Sequence, residues 1–95
     1  MTYAKRVDLN HTEIVNKFRE LGASVFDLSA VGRGCPDIMV GYNGRHTVLV
    51  EIKSGEQKRF SEAQLKFMAE WKGSAVTRIN DVEGVIRLIK ILDLS

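Results

Sequence analysis

Three charged residues near the middle of the sequence have types and spacing that suit a metal ion. Asp37 begins one apolar stretch, and Glu51 and Lys53 lie two residues apart near the end of the next. Charged side chains avoid a sheet face unless that face is solvated, the charges are paired, or the group has a function. Two carboxylates on one face can close around a cation that takes oxygen ligands. The spacing therefore predicts a cation site between two neighbouring strands.

Each of these residues also has a simpler explanation. An aspartate that follows a proline is often only a turn residue. Glu51 and Lys53 together would suit a solvated edge strand, where charges discourage aggregation. Glu51, however, ends the hydrophobic run 48–50, which is typical of a strand in the interior of a sheet. That position favours a functional carboxylate over a surface pair.

The positions of apolar and turn residues predict an α/β domain in which a mixed sheet is flanked by helices. Gly22, Gly73 and the capping residues Ser61 and Asp81 or Asn80 mark the helix ends. The expected order is αβββαβα. The expected elements are a helix at 9–21, strands at 23–29, 37–42 and 45–53, a helix from 61 to 72, a strand at 74–79 and a last helix to about 92.

The turn of the central hairpin decides whether the carboxylates can meet. A two-residue turn at Asn43-Gly44 would place Asp37 and Glu51 on opposite faces. A three-residue loop of residues 42–44 would pair Asp37 with Leu49 and set it diagonal to Glu51. The sequence permits this second register without selecting it uniquely. In it, one face carries Asp37, Met39, Leu49, Glu51 and Lys53, and the other carries Ile38, Val40, Val48, Val50 and Ile52.

Pro36-Asp37, a thirteen-residue gap and then Glu51-Ile52-Lys53 resemble the signature of the PD-(D/E)xK nuclease superfamily. Within it, the chain resembles the virus-type replication-repair nuclease (VRR-NUC) family over roughly residues 10 to 80. The matching segments are Glu13 in the first helix and the stretches 34–37, 50–55 and 61–64. The resemblance implies a restriction-endonuclease-like αβββαβ core, followed here by an extra C-terminal helix.

The resemblance also assigns roles to individual residues. Asp37, Glu51, Glu13 and the backbone carbonyl of Ile52 would hold Mg²⁺ or Mn²⁺. Such an ion neutralises charge on a phosphate during phosphodiester hydrolysis, and it usually keeps several waters beside one or two carboxylates. Lys53 would orient the attacking water or stabilise the phosphate. Gln64 would complete the catalytic set.

Two of these assignments compete with helix-end functions. Ser61 and Gln64 have the spacing of a capping box, in which Gln64 only satisfies a backbone N–H. We expect the capping role and the catalytic role to exclude each other within one side-chain conformation. Glu13 suits the first turn of a helix, where the dipole favours an acid. Glu20 lies on nearly the same face of that helix and is the alternative to Glu13.

Several basic residues are candidates for contact with a nucleic acid backbone. Arg33 lies between two glycines in a loop, and Lys58, Arg59 and Lys66 follow the predicted site. Their charges would equally suit an ordinary solvated surface. Cys35 could be a nucleophile only with a partner base, and no orienting acid accompanies it, so a small buried apolar role is expected.

Composition limits the possible classes of protein. The 95 residues suit one domain, 1–95, and the net charge of +2 would bind nucleic acid only weakly without local arrangement. One cysteine and two histidines exclude an intrachain disulfide and the usual structural zinc site. No stretch resembles a signal peptide or membrane span, so we expect a soluble cytoplasmic protein of a bacterial or phage-infected cell, with no membrane partner and no organic cofactor.

The family resemblance, with a symmetry argument, leads to a specific substrate. The last helix has an apolar stripe wider than one sheet face needs, which suggests a homodimer, although core packing explains it equally well. Small VRR-NUC proteins are associated with four-way junctions, and two symmetric cuts need two sites related by a two-fold axis. We therefore expect a Holliday-junction-resolvase-like endonuclease. The alternatives are a flap-processing, end-processing or restriction-like nuclease, and an inactive DNA-binding module.

Overall fold

The order of helices and strands predicted from the sequence is confirmed by the computed structural model, which describes residues 9–53 and 59–95. Across these two ranges, no helix has the length and apolar character needed to cross a bilayer. The elements are α1 (Leu9–Glu20), β1 (Ser24–Asp27), β2 (Ile38–Tyr42), β3 (His46–Ile52), α2 (Glu62–Glu70), β4 (Thr77–Ile79) and α3 (Val82–Asp93).

The four strands form one mixed sheet in the order β1-β2-β3-β4. The first three strands are antiparallel neighbours, whereas β4 pairs in parallel with β3. A parallel neighbour requires a crossover connection, and α2 lies within it. The strand that ends at Glu51-Ile52 is therefore interior, as its hydrophobic run predicted.

One face of the sheet is buried beneath α1 and α3. Ile14 and Phe18 of α1 are fully buried, and α1 contacts both β1 and α3. Side chains alternate along a strand, so this apolar set leaves the charged set on the opposite face. The two faces are divided as the sequence predicted. The buried apolar residues of β2 and β3 are Ile38, Val40, Val48, Val50 and Ile52, and the buried residues of α3 are Val85, Leu88, Ile89 and Leu92.

The register of the hairpin differs from the one expected. Tyr42 pairs with His46, so the loop comprises residues 43–45 and not 42–44. Asn43 and Gly44 both have positive φ, at 61° and 69°, as the tightest hairpin turns require. The Arg45 N–H closes this turn by donating to the Tyr42 carbonyl at 3.2 Å. Arg45 is thus one extra residue before the ladder resumes.

This extra residue keeps the two carboxylates on one face. In the observed register Ile38 faces Val50, so the next position brings Asp37 opposite Glu51. The expected pairing of Asp37 with Leu49 is wrong, because the position opposite Asp37 is Glu51, two residues further along β3. A two-residue turn without Arg45 would have reversed one strand's faces and separated the carboxylates.

The start of α2 is seated on the loop that precedes β2. Gly34 has φ +78°, and a Cβ at this position would lie 2.1 Å from the Ala63 carbonyl oxygen. Only glycine allows that approach together with that backbone conformation. No residue of α2 is buried, so contacts at its first turn contribute much to holding the helix in position.

We predict that Gly34→Ala destabilises the fold more than Gly32→Ala does. Both glycines have left-handed φ, but a Cβ on Gly32 meets nothing within 4 Å. Gly32→Ala should therefore cost about 1 kcal/mol from backbone strain alone. Gly34→Ala should cost about 2 kcal/mol more, because the loop and α2 must separate. Urea unfolding of both variants measures the difference, and equal losses would contradict this packing.

Candidate active site

Glu51 is a buried carboxylate at the centre of the sheet. It is only 3% exposed, and it is the one charged residue that is buried in the described part of the chain. Removing a carboxylate from water is costly unless partners compensate. Gln64 donates a hydrogen bond from Nε2 to Glu51 Oε2 at 2.5 Å, and the Lys53 ammonium lies 3.8 Å from the same oxygen. Two polar groups therefore converge on one oxygen of Glu51.

Asp37 lies beside Glu51 at the start of β2. Its Oδ2 accepts a hydrogen bond from the Ile52 backbone N–H at 2.8 Å. Pro36 is fully buried just before it, which fixes the point where the chain enters the sheet. The side chain of Asp37 thus bridges β2 to the end of β3, next to Glu51.

The two carboxylates interact strongly. Burial, and then the negative charge of Asp37, raise the pKa of Glu51 to about 7. The positive charge of Lys53 and a hydrogen bond from the Asp37 backbone act in the opposite direction but do not compensate. The pair therefore resists carrying two negative charges, and a bound cation would relieve that repulsion.

Gln64 caps α2 and contacts Glu51 within one side-chain conformation, a combination that was not expected from the sequence. Its Oε1 accepts from the Ser61 N–H at 2.8 Å, and the Ser61 hydroxyl accepts from the Gln64 N–H at 3.1 Å. The opposite end of the same amide donates to Glu51. These two contacts coexist because a carboxamide has an acceptor and a donor on different atoms. The cap of α2 is thereby tied to the buried carboxylate.

The oxygen donors at this point suit a hard cation. Because the Ile52 N–H points to Asp37, the Ile52 carbonyl lies along the same edge of the extended strand. Two carboxylates and one carbonyl match Mg²⁺ or Mn²⁺, which retain waters in their remaining positions. Within residues 9–53 and 59–95, no three His, Cys, Asp or Glu side chains cluster as a metal site. The two carboxylates that lie together are those of Asp37 and Glu51.

An aromatic ring and a second cation, neither predicted from the sequence, complete the surroundings of Lys53. The Phe60 ring centroid lies 5.7 Å from Lys53 Nζ and 5.5 Å from the Arg78 guanidinium carbon. Arg78 is the register partner of Glu51 in the parallel pairing of β3 with β4. Alternation within the segment 74–79 could have suggested a face for Arg78, but not its partner, which only the parallel register gives.

Glu13 is exposed on α1, and it lies outside the first turn of that helix. The structure does not gather it with Asp37 and Glu51 into a three-carboxylate cluster among the described residues. Its role as a ligand stays a prediction. The simpler explanation by the helix dipole is weakened as well, because it required a first-turn position.

Cys35 and the basic residues occupy the surroundings of the site. Burial and the charges of Glu51 and Asp37 raise the pKa of the Cys35 thiol, so it stays protonated and is a poor nucleophile. Arg33 is exposed with φ 59° in the loop before Cys35. Contact with nucleic acid stays a prediction for Arg33 and for the exposed Arg59 and Lys66, and Lys58 lies outside the described residues.

We predict that Glu51→Gln stabilises the cation-free protein at pH 8 but not at pH 4. Between pH 4.5 and about 7 the folded state holds a proton on Glu51 that the unfolded chain has released. Raising the pH through this window therefore lowers wild-type stability, by up to about 3 kcal/mol. Glutamine cannot ionise and escapes this loss.

Urea unfolding at both pH values, with EDTA present, measures this effect. The exposed Glu70→Gln substitution is the matched control and should track the wild type at both pH values. The raised pKa would be contradicted if Glu51→Gln and the wild type lost the same stability between pH 4 and pH 8.

Comparison with known proteins assigns no function to this site. No family model, no curated protein and no solved structure matches the chain. The groups that bear on function are the buried Glu51, the adjacent Asp37 and the nearby Lys53.

Proposed function

We propose that this chain is a Mg²⁺- or Mn²⁺-dependent DNA endonuclease that hydrolyses phosphodiester bonds. The observation that carries the proposal is the buried carboxylate of Glu51, which is held beside Asp37 with the Lys53 ammonium 3.8 Å away. A fold has little reason to bury one carboxylate next to another unless a cation or substrate uses it.

We further propose a restriction-endonuclease-like fold of the VRR-NUC kind. The order αβββαβα agrees with that resemblance, and so does the placement of Asp37 and the Glu51-Ile52-Lys53 segment on neighbouring strands. The contact between Gln64 and Glu51 gives support from a residue outside the short signature. An acid, a spacer and an acid-x-lysine segment would recur by chance far more often than this combination.

In the proposed reaction, water attacks a phosphorus atom and one phosphorus–oxygen bond of the DNA backbone breaks. Asp37, Glu51 and the Ile52 carbonyl would hold the cation, which supplies positive charge for the phosphate and acidifies water. Gln64 fixes the orientation of the Glu51 carboxylate through the Nε2 of its amide, whose oxygen takes part in the cap of α2. The Lys53 ammonium, next to Glu51, orients the attacking water or offsets charge on the phosphate.

We propose branched DNA as the substrate and a homodimer as the active form. Half of the apolar stripe on α3 packs into the core, but Ile91 and the C-cap residue Leu94 are 59% and 89% exposed. Apolar side chains left outside the core favour a partner surface. A two-fold arrangement would then present two sites to the symmetric strands of a four-way junction.

We predict that Lys53→Ala lowers DNA cleavage at least a hundredfold and leaves folding intact. A side chain that positions the attacking water or stabilises charge on the phosphate typically accelerates the reaction by this factor or more. Lys90→Ala, on the exposed side of α3, removes the same charge far from the site and should cut like the wild type. End-labelled four-way junction, flap, duplex and single-stranded DNA, each with Mg²⁺, Mn²⁺ or EDTA, form the substrate panel.

The panel separates the possible outcomes. Paired cuts in the junction, lost in EDTA and in Lys53→Ala, support a dimeric resolvase. Cutting of flaps or ends keeps the site but moves the function to end processing. Equal activity of Lys53→Ala and Lys90→Ala would refute the site, and binding without any metal-dependent cutting would indicate a binding module.

We predict that Mg²⁺ raises the wild-type melting temperature at pH 8 by about 5 °C or more at saturating concentration. Asp37→Asn should abolish this rise, because the variant loses one of two anionic ligands. Glu70→Gln is the control that should keep it. Differential scanning calorimetry with and without Mg²⁺ gives the result, and a rise of equal size in Asp37→Asn would contradict the ligand assignment.

A further inference from the structure

The cation beside the site that no sequence signature includes is Arg78. It is half-buried on β4, and its position in the ladder is directly across from Glu51. Partners in a ladder project to the same face, so Arg78 shares the face that carries Glu51 and Lys53. The proposed catalytic set does not include Arg78.

The guanidinium of Arg78 is held in a defined orientation. Its Nε donates to Asn80 Oδ1 at 3.0 Å, and its central carbon lies 5.5 Å from the Phe60 ring centroid. Lys53 Nζ lies at a similar distance from the same ring. Phe60 therefore brings two positive side chains together at one end of the sheet.

Such an arrangement suits the oxygens of a phosphate. Arginine presents a planar fork of N–H donors that matches phosphate oxygens, and a fork already ordered by stacking loses less entropy on binding. Glu51 already has Gln64 and Lys53 on one of its oxygens. A second cation of fixed orientation beside a phosphate-cleaving site is placed to receive the substrate backbone.

We propose that Arg78, supported by Phe60 and Asn80, binds a phosphate of the DNA strand that is cut. The inference rests on the proposed nuclease function and adds a substrate-binding residue to it. Arg78 fixes the strand relative to Lys53, and the aromatic ring keeps the two cations at a set separation. The ligand is the phosphodiester backbone, so this contact carries no base preference.

The test is the salt dependence of DNA binding. Fluorescence anisotropy with a labelled four-way junction, in Ca²⁺ and over a series of KCl concentrations, gives affinity and slope, while gels show that the DNA stays intact. Arg78→Ala should weaken binding about tenfold. It should also reduce the slope of log affinity against log salt by about 0.9, as loss of one phosphate contact requires.

Two further variants separate this role from a structural one. Arg87→Ala removes an exposed arginine on α3, so it should leave both affinity and slope near the wild-type values. Arg78→Lys keeps the charge but loses the fork, so it should keep the slope and lose part of the affinity. Circular dichroism shows whether each variant is folded. If Arg78→Ala does not fold, the affinity and slope of Arg78→Lys decide the role of Arg78.

The outcomes distinguish this inference from the nuclease proposal. If the wild type cuts DNA but Arg78→Ala matches Arg87→Ala in affinity and slope, the phosphate role of Arg78 is wrong and the nuclease stands. If the wild type binds without cutting, the nuclease proposal fails and the slope still decides Arg78. If the wild type binds no DNA, both fail.

Discussion

The cost of burying Glu51 beside Asp37 is the constraint around which this structure is arranged. Glu51 is almost completely enclosed, and its pKa rises to about 7 because burial and the neighbouring charge both oppose ionisation. An apolar residue at this position would cost the fold less. The compensation comes from Gln64, from Lys53 and, in the proposed function, from a divalent cation that both carboxylates share.

Several otherwise unrelated features serve to bring groups to this carboxylate. Arg45 adds one residue to the hairpin and so keeps Asp37 on the same face as Glu51. Gly34 lets the preceding loop touch the first turn of α2, which carries Gln64. The parallel pairing of β4 brings Arg78 alongside. The buried face beneath α1 and α3 provides a rigid support on which these weaker contacts can act.

The sequence predicted the layers of the fold but not the contacts across them. Alternation of apolar residues divided the faces of β2 and β3 correctly, because hydrophobic burial acts on every second side chain. The exact register was wrong, because moving a three-residue loop from 42–44 to 43–45 shifts the pairing by two residues and leaves every side chain on the same face. The simultaneous contacts of Gln64 with Ser61 and Glu51 were missed because sequence spacing describes the helix cap and says nothing of the other end of the amide.

Arg78 and Phe60 were missed for a related reason. Arg78 reaches the site through the parallel pairing of β4 with β3, and Phe60 reaches it from the segment just before α2. Neither placement has a local signal in the sequence. Glu13 shows the opposite case, since a motif suggested a role that the exposed position on α1 does not by itself support. Local patterns thus located the strands and their charges, while long-range pairing determined which charges meet.

The most direct test of the account is the location of a bound cation. Crystals grown with Mn²⁺ and measured at the manganese absorption edge show the ion by its anomalous scattering. We predict one strong peak in contact with the carboxylates of Asp37 and Glu51 and the carbonyl of Ile52, absent in Asp37→Asn. A peak elsewhere, with none between these carboxylates at saturating Mn²⁺, would contradict it.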